Sequence, residues 1–153
     1  MNKNGNIMAI VAVVAAIVAL TIVYAVATFY GGGSSASAGV PCLVSGVELA
    51  MHIHPELKIE MDGKDVPLPT DIGMTGSCER AIHTHEDVGV IHVESQTVRD
   101  FTLGDFFDVW GEPLRKDRYD LEMTVDSAQS LELDKLILRD KQKIVLKYTK
   151  IVN

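Results

Sequence analysis

The sequence predicts an α+β domain, a mostly antiparallel sheet with one packed helix, preceded by a single transmembrane helix. Three observations carry that reading. Residues 7–30 hold no charge, the apolar period after Cys42 is mostly two, and a single capped, aromatic-rich helix follows near residue 102. All but one of the charged residues in the 153-residue chain lie beyond residue 40, which leaves a soluble part of about 110 residues. That length suits one small domain with its own core and not two.

Ile7 to Tyr30 reads IMAIVAVVAAIVALTIVYAVATFY, whose only polar groups are hydroxyls. As a helix it is about 36 Å long, enough to cross the hydrocarbon core with some tilt. Residues 1–6 form a short N-terminus in which Lys3 is the only charged side chain. The positive-inside tendency places it in the cytoplasm and places residues 42–153 on the extracytoplasmic side of the cell membrane. A cleaved signal peptide is the competing reading. The small residues Ala36-Ser37-Ala38 favour it, and an apolar stretch longer than the usual h-region of about 7–15 residues opposes it. Residues 31–41, GGGSSASAG running on to Pro41, read as a flexible Gly/Ser-rich linker.

Cys42 and Cys78 are the two cysteines. In a domain facing an oxidising compartment they predict a disulfide closing a loop of roughly 35 residues, worth about 3–4 kcal/mol on the chain-entropy account. Two free structural thiols, or Cys78 as a thiolate metal ligand, are the alternatives.

In the domain, Met51, Ile53, Leu57, Ile59 and Met61 share one parity, with His52, His54, Glu56, Lys58 and Glu60 on the other. This is a strand with one buried face, bent where Pro55 interrupts pairing. Asp62-Gly63 predicts a tight turn into a return strand at Lys64 to Leu68. A second hairpin is expected from Ala81–His85 and Val90–Glu94, joined by Glu86-Asp87-Val88-Gly89. Thr102 and Asp105 form a capping box for a helix whose Phe106, Phe107 and Trp110 face the core, and Gly111 with Pro113 ends it. Strands close the chain at Tyr119–Val125 and Lys143–Val152. The leucine-rich segment between them shows no clear period. Of the six methionines, Met51, Met61 and Met123 fit core parity, and Met74 falls in a loop.

Charge excludes one function class. With Lys3 set aside, thirteen positive charges face 21 negative ones, a formal net of −8 with His neutral. Such a domain repels phosphate backbones, so nucleic acid is not a partner.

All five histidines lie between residues 52 and 92, in alternating pairs: His52-Ile53-His54, His83-Thr84-His85 and His92-Val93-Glu94. On a strand, residues i and i+2 share a face, so each pair projects two ligand groups together. The second hairpin has two plausible registers, one placing His92 opposite His83 and the other opposite His85. Both put His83, His85, His92 and Glu94 on one face, with opposed Cβ atoms about 4.5–5.5 Å apart. Glu94 then serves as a fourth ligand or as an acceptor that fixes a tautomer. If the first strand pairs with this hairpin, His52, His54 and Glu56 join them. An imidazole set with a carboxylate suits Zn, Cu, Ni or Fe(II), and for a site outside the membrane copper or zinc is the expected cofactor.

Enzyme templates fit poorly. His85-Glu86-Asp87-Val88-Gly89 lacks the second His of H-E-x-x-H, the glutamate spacing does not match a cupin, and no G-x-S-x-G, P-loop or dinucleotide fingerprint occurs.

HIHPELKIEMDGKDVPLP, then IG and a Cys, then IHTHEDVGVIHVES and FTLGDFFDVWGEPL, is similar to an uncharacterised family of exported or membrane-anchored bacterial and archaeal proteins. A similar single-anchor form occurs in ammonia-oxidising archaea. The resemblance covers most of residues 51–114, through the run H-T-H-[DE]-x-x-G-x-I-H-x-E. In that pattern a third His often follows the first pair, where this chain has Glu56. The resemblance implies export and carries no activity.

The sequence therefore points to an anchored extracytoplasmic domain that captures or transfers copper or zinc through His83, His85 and His92 with Glu94, assisted by His52 and His54. Two other classes stand beside it: an accessory subunit of a membrane complex with structural histidines, and a metalloenzyme with an open coordination position.

Overall fold

Pro55 divides the alternating run into two strands belonging to two different sheets. In the computed structural model, which describes residues 39–152, β1 (Met51–Ile53) and β2 (Glu56–Met61) flank this buried proline. Lacking an N–H, Pro55 cannot continue a ladder, but its carbonyl accepts from Ile91 N at 2.9 Å. Before it, β1 pairs antiparallel with β7 (His92–Ser95); after it, β2 pairs parallel with β10 (Lys143–Lys150). The expected bend is a passage from one sheet to the other.

The larger sheet has five strands in the order β3-β2-β10-β8-β9, with β3 at Lys64–Val66, β8 at Tyr119–Val125 and β9 at Ala128–Ser130. Asp62 and Gly63, at φ 49° and 76°, make the left-handed turn that hairpins of this twist require. All ladders of this sheet are antiparallel except β2–β10. Leu57, Ile59, Met123, Ile144, Leu146 and Tyr148 alternate into the core, while Lys58 and Lys147 face water with Glu60 between them.

A smaller sheet has the order β1-β7-β6, with β6 at Ile82–His83. A two-stranded hairpin of β4 (Met74–Thr75) and β5 (Cys78–Glu79) stands beside them. Met74 is thus half-buried on a strand rather than in a loop. The mostly antiparallel character holds, distributed over three sheets rather than one. The short strands are the reason: two-residue ladders leave too little alternation to read.

The helix α1 (Leu103–Trp110) forms as its caps dictate. Thr102 Oγ1 accepts from Asp105 N at 3.1 Å, Asp105 Oδ2 accepts from Thr102 N at 2.8 Å, and Gly111 closes the last turn at φ 79°. Leu103, Phe106 and Phe107 are buried. The leucine-rich segment resolves as one 3₁₀ turn (Leu133–Lys135) followed by an extended stretch along the start of α1. There Leu103 N donates to Leu136 O at 2.8 Å and Leu138 N to Phe101 O at 2.9 Å, burying Leu136 and Leu138. A mixed 3₁₀ and extended segment has neither period, which is why the sequence did not reveal it.

Val40 and Pro41, at the end of the stretch read from sequence as a linker, contact the domain. Val40 is buried, and Pro41 O accepts from Ala81 N at 2.9 Å. Cys42 and Cys78 form a disulfide with Cα atoms 5.3 Å apart, so Cys78 is not a thiolate ligand and no free cysteine remains among the described residues. The expected transmembrane segment, residues 7–30, lies outside the described residues. Among the described residues no helix is long and apolar enough to cross a membrane.

Candidate metal centre

The smaller sheet assembles the histidines by register. β7 is its central strand, and His92 and Glu94 share one face of it. On the β6 side His83 lies opposite His92; on the β1 side His52 lies opposite Glu94. Carried one residue further, that second register brings His54 beside His92, where their ring centroids are 4.8 Å apart. Of the two registers open to the hairpin, the one pairing His83 with His92 is formed. His85 lies beyond the ladder, yet its ring returns to both partners, 4.7 Å from His83 and 4.6 Å from His92.

The first strand therefore does join the hairpin, and all five imidazoles converge. They form a row, His52–His54–His92–His85–His83, with neighbouring centroids 4.5–4.8 Å apart. Exposure falls along it: the side chain of His52 is 48% exposed, His54 41%, His92 13% and His83 0%. Glu56 does not join. Past the Pro55 seam it is an exposed residue of the larger sheet, paired with Lys143.

Three groups bring one ligand atom per residue within 4.8 Å of each other: His52, His54 and His92; His83, His85 and His92; and Glu79, His83 and Glu94. Glu79 comes from β5, held by the neighbouring disulfide and by the bridge between Cys42 and Arg80. Gly73 allows the β4–β5 hairpin to lie against β6. At φ 77° a Cβ there would sit 2.4 Å from Ile82 O, so only glycine permits the approach.

Hydrogen bonds fix the tautomers. His83 Nδ1 donates to Arg80 O at 2.8 Å, which leaves the lone pair on Nε2. Burial lowers the pKa of His83, against the raising effects of that bond and of Glu79 and Glu94, and keeps the ring neutral. The Nε2 lone pair then faces His85 Nε2 at 3.1 Å and the Glu79 carboxylate at 3.3 Å. Two nitrogens on a tetrahedral ion at metal–nitrogen distances of about 2.0–2.1 Å lie roughly 3.3 Å apart, close to the separation present here. A lone pair against a carboxylate is an arrangement that a cation relieves.

Three of the other rings have a carboxylate beside them. His92 Nε2 meets Asp87 at 2.9 Å and His52 Nε2 meets Glu94 at 3.0 Å, while Asp140 accepts from His54 N at 3.0 Å with its carboxylate 3.9 Å from the His54 ring. An imidazole with one nitrogen on a carbonyl or carboxylate and the other free is the arrangement found around bound metals. Burial pushes the Asp87 carboxyl up, but the hydrogen bond and charge of His92 outweigh it, so its pKa lies below the ordinary value. Glu94 thus backs His52 and also joins the group around His83.

Glu79, Asp87 and Asp140 were not singled out in the sequence. Glu79 stands four residues before His83 and Asp87 lies inside the hairpin loop, so both were within reach of a local reading. Asp140 is distant in sequence and carries no such signal.

The donor set, five imidazoles with the carboxylates of Glu79, Asp87, Glu94 and Asp140 near four of them, could hold a metal ion by its chemistry. Comparison with family models, with curated proteins and with solved structures returned no match, so the site is read from its own geometry.

Proposed function

We propose that the chain is an anchored protein of the cell membrane whose extracytoplasmic domain captures or transfers a transition-metal ion, copper or zinc, through the histidine row. Residues 1–6 stay in the cytoplasm, residues 7–30 are the anchor in the lipid bilayer, the Gly/Ser-rich stretch up to the fold is the tether, and the remainder is the metal-binding domain. The uncharged segment supports the anchor, and the disulfide supports an oxidising compartment. The ligands are His83, His85 and His92 with Glu94, assisted by His52 and His54.

One observation carries the reading: the fully buried His83 brings its Nε2 within reach of both His85 Nε2, at 3.1 Å, and the Glu79 carboxylate, at 3.3 Å. Metal binding at neutral imidazoles weakens as they protonate, so affinity falls on acidification.

Titration of the full-length chain in detergent with Cu(II) and with Zn(II), counting bound metal, tests the proposal. A single ion per chain is expected, and its loss in a His83→Ala/His92→Ala variant. Substoichiometric binding by the wild type, or an undiminished signal in the variant, sinks the idea. A melting temperature indifferent to chelator after metal loading favours the accessory subunit of a membrane complex instead.

A further inference from the structure

The row contains two complete three-imidazole sets that share a single residue. His52, His54 and His92 form one set, and His83, His85 and His92 the other. Resting on the metal-capture reading above, we propose that these are two successive positions of one ion: an outer loading position and an inner holding position, with His92 as the pivot between them.

Exposure sets the order. An ion arriving from solvent meets His52 and His54, whose side chains are nearly half exposed, before His83, which has no exposed surface. His92 stands between the two sets, with centroids 4.8 Å from His54 and 4.6 Å from His85.

The shared residue restricts occupancy. Each set takes one ligand nitrogen from His92, and Asp87 already holds His92 Nε2 at 2.9 Å. The two positions are therefore alternatives, and two divalent ions this close would also repel strongly away from water. The inner position is the stronger of the two. Glu79 and Glu94 place carboxylate oxygens beside His83, and their charge acts on an ion there in surroundings that burial makes less polar than the rim. An ion exchanging His54 and His52 for His83 and His85 keeps His92 throughout and is never released to solvent.

Stopped-flow mixing of the full-length chain in detergent with Cu(II), whose visible absorbance reports its ligand set, tests the sequence of positions. The wild type is expected to show a fast phase whose rate rises with Cu(II) concentration, then a slower phase independent of it. His52→Ala/His54→Ala loses the fast phase. His85→Ala, at a half-buried position that tolerates truncation better than His83, loses the slow phase and leaves copper that a chelator strips at once. Two ions bound per wild-type chain at saturation, or a fast phase surviving in His52→Ala/His54→Ala, overturns the relay while leaving capture intact. No copper binding by the wild type overturns capture itself.

Discussion

The two main sheets divide the work of the domain. The five-stranded sheet is built on strands of six, seven and eight residues, and its buried face is apolar apart from the Tyr148 hydroxyl. The three-stranded sheet is built on strands of three, four and two residues. The buried polar residues among those described, His83, Thr84 and Ser95, all lie in it or directly beside it. Long ladders with one apolar face are self-sufficient, whereas short ladders carrying imidazoles need outside support. Here that support is a disulfide, a close-packed hairpin at Gly73 and the covalent seam at Pro55. The longer ladders are thus in one sheet and the chemistry in the other, although Ile82 and Val93 of the smaller sheet also lie fully within the core.

Four measurements break or sharpen this contrast. The largest effect is expected in the five-stranded sheet: Leu146→Ala, at a fully buried position of β10, should cost about 4 kcal/mol in urea unfolding. A loss below that of any change in the smaller sheet would reverse the assignment. Next, Cys42→Ser/Cys78→Ser should cost about 3 kcal/mol and loosen the hairpin that carries Glu79. Amide exchange should then rise at residues 78–83 before it rises in β10, and uniform exchange would show that the sheets open together.

Tyr148→Phe comes third, at about 1 kcal/mol. It removes a buried hydroxyl that donates to Leu114 O at 2.6 Å and whose pKa burial pushes up to about 12. The smallest effect is a pH dependence of the metal-free protein. Burial holds the folded pKa of His83 below 6.5, its ordinary value, so as pH falls below that value the unfolded chain takes up a proton the folded one refuses. Stability should be level above pH 6.5 and decline below it, read as the urea midpoint in chelator. A midpoint that rises on acidification would show that His83 gains a proton and a partner on folding.

How far the sequence could be read follows from the same contrast. Where a strand is long enough to alternate several times, as at Tyr119–Val125, its limits agree with the structure, and the Thr102 and Asp105 caps set the helix start directly. The H-x-H and H-x-E spacing revealed which side chains share a face, because that depends only on the local period of two. It did not reveal whether β1 lies beside β7, the parallel pairing of β2 with β10, or the arrival of Asp140 beside His54. These depend on contacts between distant segments, on which local spacing is silent. Glu56 is the instructive error: it has the parity of His52 and His54, but parity carries across a proline only if the strand does, and here the chain changes sheets.

The position of β10 bears on how the domain comes to be made. This strand sits between β2 and β8, and its parallel partner β2 lies more than half the chain's length earlier in sequence. A chain synthesised from its amino end thus presents both cysteines and every histidine well before the strand that completes the larger sheet. Until β10 arrives, β2 and β8 each expose an open edge and an apolar face, the kind of surface on which nascent chains aggregate. The histidines are available early, and the strand that closes the larger sheet comes late.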